Sequence, residues 1–367
     1  MHRMMVLMLY TVLLLASGTA QAFSDDDRQE YMLIVKASPN ASYESAMPLP
    51  KGLKRSWLTP KDPYPASPPV TDIYLRTAHK TYDIDERLNL YDPATKAIQR
   101  LPVSTKKKLN TSIEALRNKH YGKLITWQEA KVILPLHSKF SVIDLTTGQQ
   151  FRVERRAGSS HADVQPLSKQ DTSTMKAIYD GKWSWKRRAI LVKKDSEVFA
   201  ASMHGMPHGG DGIPDNGFNG HFCIHFLGSI THRTGNQDPD HEVMIHKAAG
   251  ELLPYVRRLP LSQLAELFLI AFRQQDPEIL AVLFDNRQRA ASCADHCRLT
   301  QLDGIRTTAI QLIDSGEDNP LTADATVTAT AFRDNEKMTL HIRLHFGKGA
   351  PGLPWILESA ELQGPRR

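Results

Sequence analysis

Gly220-His221-Phe222-Cys223-Ile224-His225-Phe226 is the stretch that decides how this chain is read. An extended strand points successive side chains to opposite faces. Phe222, Ile224 and Phe226 then form one apolar face, fit for a core. His221, Cys223 and His225 form the other, a thiol with an imidazole two residues away on each side. A thiol is a good nucleophile at neutral pH when a base takes its proton or its pKa is shifted. A further candidate base, His208, lies fifteen residues before Cys223. It heads a loop containing Gly209, Gly210, Gly212, Gly217 and Gly220, expected to be flexible enough to fold His208 back over the thiol and lower its pKa. A plain buried cysteine is the alternative. Three reactive polar residues alternating on one face suit a core poorly.

Working outward, Thr126-Trp127-Gln128-Glu129 has the form of a capping box opening a short helix that Pro135 ends. Phe140 to Leu145 and Gln150 to Glu154 read as strands joined at Thr146-Thr147-Gly148. In Ser159 to Val164, His161 and Asp163 share a face if the segment is extended, and either line a site or serve their own loop. Ser168 to Asp171 caps a helix running to Tyr179. Trp183-Ser184-Trp185-Lys186-Arg187-Arg188 sets two aromatic rings beside three cations, which reads as cation–π surface packing or, alternatively, a substrate rim. Ala189 to Val192 and Val198 to Met203 are strands leading into the glycine loop. Beyond Phe226, Asp238-Pro239-Asp240 begins a helix carrying His241 and His246, whose spacing of five does not make a zinc-type pair.

The chain of 367 residues is long enough for two or three domains, and its 41% hydrophobic and 23% charged composition is that of a globular protein. Its N-terminus differs from the rest. Met1-His2-Arg3 is a short basic start, Met4 to Ala16 is nearly all apolar, and Ala20-Gln21-Ala22 is a small-x-small cleavage signal. Residues 1–22 therefore read as a signal peptide, and the protein as exported to the periplasm or cell envelope. No later apolar run reaches spanning length, so no transmembrane segment is expected after cleavage. Without Arg3 the chain keeps 45 basic residues against 40 acidic ones. This mild, dispersed excess suits an anionic polymer and lacks the concentrated stripe of a nucleic-acid binder.

Of three cysteines, Cys293 and Cys297 sit together, and an oxidising compartment favours their pairing, which leaves Cys223 as a free thiol. With His296 they can alternatively hold a metal. Residues 23–124 carry no recognisable chemistry. They offer strands at Tyr31 to Lys36, Asp72 to Leu75 and Leu88 to Tyr91, a proline-rich loop over Ser38 to Val70, and an amphipathic helix over Lys106 to His120. From Leu259, two helices (Ser262 to Arg273, Pro277 to Phe284) and four strand-like runs make a small α+β accessory domain, residues 259–367. Its element order resembles the nuclear-transport-factor-like fold.

Over residues 125–255 the chain resembles the L,D-transpeptidase catalytic domain of bacterial cell-wall enzymes. That family carries His-Gly and, fifteen to twenty residues later, Ser-His-Gly-Cys-Ile/Val-Arg/Asn. Here His208-Gly209 matches the first part and Gly220-His221-Phe222-Cys223-Ile224-His225 the second. Gly220 replaces the serine, Phe222 the glycine, and His225 the arginine or asparagine, departures that bear on carboxylate binding and on the oxyanion pocket. His204-Gly205 is a second His-Gly. The resemblance implies a mainly β fold with α+β parts, its catalytic domain β-sandwich-like. It implies cysteine acyl transfer on peptidoglycan stem peptides without cofactor or metal. Cys223 would be the nucleophile, His208 (or His204) the base, and His221 the orienting group. His204, Gly209, Phe222 and His225 would line the substrate side, with backbone N–H groups near Phe222 and Cys223 holding the oxyanion. Two other readings fit the same residues: a zinc-type set of His221, Cys223 and His225 with His208 or His204, and a catalytically silent wall-binding protein.

Overall fold

The structure, a computed structural model, describes residues 31–50, 53, 63–210, 212–231, 235–297, 302–313, 320–334 and 336–363, with the backbone alone at 295–297 and 363. The expected signal peptide and the side chain of Cys297, hence the Cys293–Cys297 bridge, lie outside the described residues. No helix among them is long and apolar enough to cross a membrane.

The protein is mixed α and β, mostly antiparallel sheet. Strands β1 (Met32–Val35), β2 (Ser45–Pro48), β3 (Tyr64–Pro65), β4 (Ile73–Arg76), β5 (Thr81–Ile84), β6 (Leu90–Asp92) and β7 (Ala97–Gln99) form one sheet in the order β2-β1-β4-β5-β6-β7-β3. Two of them, β2 and β3, lie inside the stretch expected to be loop. Both hold sheet-edge positions, where proline's missing N–H is tolerated. Helix α1 (Val103–His120) packs on β1 and β2 and buries Leu109, Ile113 and Leu116, as its period requires.

Helix α2 (Trp127–Ile133) opens on the expected capping box, with Thr126 and Glu129 satisfying each other's backbone N–H. Then come β8 (Lys139–Asp144), β9 (Gln150–Ala157), β10 (Ala162–Pro166), α3 (Lys169–Ile178), β11 (Arg187–Lys194), β12 (Glu197–His204) and β13 (Phe222–His225). The six strands close into a barrel in the order β10-β13-β12-β11-β8-β9. A closed barrel thus stands where a sandwich-like sheet was expected. Closure follows because β10 and β9 pair antiparallel as well as β10 and β13, which leaves no free edge. Phe222, Ile224 and Phe226 point into the barrel core with Phe151, Val153 and Phe199, each fully buried large side chain contributing roughly 2 kcal/mol.

Outside the barrel, α4 (Pro239–Ala248) lies across β11 and β12. Its Val243, Met244 and Ala248 join Leu191 and Ala200 in a second core. That core continues through α5 (Leu252–Val256), α6 (Leu261–Gln274), α7 (Pro277–Phe284) and α8 (Arg287–Cys297). It ends on a four-stranded meander, β14 (Gly304–Ile313), β15 (Thr322–Arg333), β16 (Glu336–Gly347) and β17 (Ile356–Gln363). Leu33 of the first sheet and Phe346 of the last belong to this one core. Because α4 covers the barrel's outer face, β11 and β12 are buried on both sides, and the polar residues of that face become a buried layer.

Candidate functional site

Cys223 sits in the middle of β13, on its outer face, with only 5% of its surface exposed. Two features bring His208 to it. Backbone hydrogen bonds run from His208 N to His221 O (2.9 Å) and from His221 N to His208 O (2.7 Å). Glycines make this pairing possible: at Gly220 (φ +102°) a Cβ would lie 2.4 Å from the His208 carbonyl oxygen, and at Gly209 (φ +71°) it would lie 2.2 Å from the His221 ring. Serine at position 220 would be strained in the same way.

The loop does bring His208 back over the thiol, and two side-chain amides tie it at described positions. Buried Gln165 donates to Gly220 O (2.5 Å) and accepts from Ile213 N (2.8 Å). Asn216 donates to Pro166 O (2.9 Å) and accepts from Phe218 N (2.8 Å). Neither residue stood out in the sequence, because a loop-fixing amide has no spacing that marks it.

His208 Nε2 lies 3.4 Å from Cys223 Sγ, while His208 Nδ1 lies 3.1 Å from the Met206 carbonyl. A carbonyl only accepts, so Nδ1 carries the proton and Nε2 offers its lone pair to the thiol. His204 packs behind His208, its ring tilted to it (5.2 Å), and accepts from Met206 N (3.3 Å) through Nδ1. Burial, reinforced by Arg187, holds His204 well below the usual imidazole range. Of the two candidate bases, His208 is the one within hydrogen-bonding reach of the thiol.

The other side of the thiol is acidic. Asp163 Oδ1 is 3.7 Å from Sγ, 3.1 Å from His161 Nε2 and 3.8 Å from His221 Nε2. His161 Nδ1 in turn meets the Ile230 carbonyl at 2.8 Å. Beneath lies a stack of imidazoles: His161 on His225 (4.5 Å), and His225 on His241 of α4 (3.8 Å, 1° between planes). His241 Nδ1 is 2.9 Å from the hydroxyl of fully buried Ser202. Burial, then the neighbouring His225, pushes His241 well below the usual range.

Burial and the Asp163 carboxylate push the Cys223 thiol far up, not down as expected, so the resting group is the thiol. Three side chains expected to line the substrate side are covered, His204 among them at 3% exposure. The Phe222 ring lies wholly inside the barrel core, and His225 lies under α4. Gly209 serves close approach to His221. The open side is made by half-buried His208 and His221 and by Trp185, half exposed and packed over His204 (4.7 Å) and His208 (5.4 Å). Trp185 therefore packs beside the site through His204 and His208. His241 was visible as a residue but not as a member. Its register on α4 becomes meaningful only once α4 is known to cross the barrel. His246 faces Tyr255 (4.1 Å), away from the cluster, as its spacing implied.

Ligand-type atoms group around Sγ in three sets among the described residues: His161 with His225, His204 with His208, and Asp163 with His221. The expected pairing of His221 and His225 about one ion is not among them, because those residues fall in different sets. No family model and no curated protein matches this chain.

Proposed function

We propose that the protein is a cysteine acyltransferase of the L,D-transpeptidase type, acting on peptidoglycan stem peptides outside the cytoplasm. The observation that carries this reading is His208, its Nε2 facing the Cys223 sulfur at 3.4 Å while the Met206 carbonyl engages its other nitrogen. That is the tautomer a general base needs. Sulfur attacks the carbonyl carbon before a terminal D-amino acid as the thiol proton passes to His208 Nε2. The C–N bond then breaks, and His208 returns the proton to the departing amine. A thioester remains on Cys223, to be resolved by the amine of a neighbouring stem or by water. Because the resting sulfur is a thiol, proton transfer accompanies attack instead of preceding it. His221 orients the pair through its double backbone bridge to His208. Trp185 offers a flat apolar surface beside the thiol for the incoming peptide. No cofactor enters these steps.

Intact-protein mass spectrometry after incubation with muropeptides tests the proposal. A thioester-sized increase, present in the native protein and lost in Cys223→Ala, supports it. No adduct, together with slow alkylation of Cys223 by iodoacetamide, would favour a silent wall-binding protein, a reading that the thiol's burial also suits.

A further inference from the structure

The side chains around Cys223 form a candidate proton-transfer centre, and they also have the make-up of a soft-metal site. We propose that Cys223, His161 and His225 bind a thiophilic divalent cation of the zinc type, which caps the thiol reversibly while bound. The inference shares Cys223 with the acyl-transfer reading but rests on the ligand geometry alone.

Four observations support this set. The three ligand atoms lie within 4.8 Å of one another, and all three residues are buried. Zinc bound to one sulfur and two imidazole nitrogens, with bonds of about 2.3 and 2.0 Å, places its ligands roughly 3.5 Å apart, so side-chain adjustments of about 1 Å would close the site. His161 already has the backing typical of a metal-bound imidazole. Its Nδ1–H donates to the Ile230 carbonyl at 2.8 Å, which directs Nε2 towards Asp163 and Cys223. That Nε2 meets the Asp163 Oδ1 at 3.1 Å. Two lone pairs at that distance call for a cation between or beside them, a proton in the resting protein or a metal ion competing for the place. Finally, His225 is clamped between the rings of His161 and His241, and Ser202 braces His241, so little side-chain freedom is lost on binding.

The alternative pair about the same sulfur, His204 and His208, is less suited, because His204 Nδ1 already accepts from Met206 N. On binding, the Cys223 S–H bond breaks, and its proton and the one held between His161 Nε2 and Asp163 Oδ1 both leave to solvent. No electron is transferred. The thiolate and the Asp163 carboxylate together balance the ion's two charges.

The test uses the full chain freed of metal and titrated with Zn2+, or with Co2+ as a spectroscopic probe. One equivalent should bind, cobalt should give a thiolate charge-transfer band, and Zn2+ should slow iodoacetamide alkylation of Cys223 at least tenfold. Cys223→Ser should abolish the band. His161→Gln and His225→Ala should each weaken binding at least tenfold, the scale on which disturbing a metal site is felt. Circular dichroism checks that each variant is folded, and the near-isosteric Cys223→Ser keeps the test valid should His225→Ala unfold. Unchanged affinity in Cys223→Ser or in folded His161→Gln overturns the proposal, as does loss in His204→Ala with none in His161→Gln. Adduct formation without metal binding would sink this inference and leave acyl transfer standing. Metal binding without any adduct would do the reverse.

Discussion

Two regions of this molecule set histidines against carboxylates on a β-sheet, and they differ chiefly in what covers them. On the barrel, His161 and Asp163 are 2% and 7% exposed, and His161 stacks on His225, which in turn stacks on His241 of α4. On the last sheet, His345 stands across from Asp324, with Nδ1 to carboxylate 2.7 Å, and its other nitrogen lies 3.5 Å from Glu358. Those side chains are 40%, 20% and 49% exposed. The pair distances are comparable. In the open cluster, water and salt screen the charges, and any proton lost or gained is made good by solvent. In the buried cluster each proton must reside on a named atom, and the tautomers of His161, His204 and His208 can be assigned from their backbone partners. An antiparallel sheet with one packed side needs a polar outer face, and the His345 cluster is just that. Covering such a face is what turns it into a site.

The comparison breaks most visibly in activity. His208→Ala should slow acyl-enzyme formation at least about a hundredfold, the usual scale for losing a general base. His345→Ala should leave the rate unchanged. Single-turnover mass spectrometry with muropeptides measures both, and equal effects would show that the buried cluster has no special role. Next in size is stability. Asp163→Ala removes one partner of a buried pair and should cost about 3 kcal/mol in chemical denaturation. A cost below about 1 kcal/mol would put the buried cluster on a level with an exposed one.

How far the sequence disclosed this follows the same division. The alternation on residues 220–226 placed Phe222, Ile224 and Phe226 in the core and Cys223 on the other face, because strand geometry is local. The capping box at Thr126 and the period of α1 were legible for the same reason. Barrel closure was not, since pairing between β10 and β9 is a matter of tertiary register. The covering helix was hidden too. Without knowing that α4 crosses β11 and β12, nothing predicts that His225 is stacked and covered or that the thiol's pKa is raised. Burial is a global property, and it reversed the expectation for the Cys223 thiol.

A third histidine separates burial from carboxylate contact. His120, at the end of α1, is fully buried, stacked on Tyr43 (4.7 Å), with Nδ1 3.1 Å from the Ser45 hydroxyl. Burial first, then Arg117, lowers its pKa to about 4. The unfolded chain, with an imidazole near 6.5, binds more protons between those values, so stability is intact above pH 6.5 and falls as pH drops towards 4. His120 alone should account for about 2 kcal/mol lost between pH 7 and pH 5. His204 and His241, also lowered, add to the same acid limb. The His120 share is therefore read as the difference between native protein and His120→Gln in denaturation at both pH values. Identical pH profiles would mean that burial alone does not set this group's charge.

The smallest effect is expected where the comparison began, on the open sheet. Hydrogen bonds from Arg343 and then His345 hold the Asp324 carboxyl below its ordinary range, and the Arg343 contact is 2.6 Å. A depressed carboxyl contributes stability that is present above its unfolded pKa, near 3.9, and is lost as pH falls through the folded value. At neutral pH the contribution is therefore fully in place. Its size is nonetheless limited, because Arg343 is half exposed and solvent competes for every contact. Asp324→Asn should cost less than about 1 kcal/mol, within the range of a single cross-strand pair, and the cost should shrink further in molar salt. Denaturation of this variant beside Asp163→Ala, at low and high salt, completes the contrast. A salt-insensitive loss of about 3 kcal/mol at Asp324 would mean that burial is not what sets the barrel cluster apart, and the distinction would have to be sought in the chemistry of Cys223 itself.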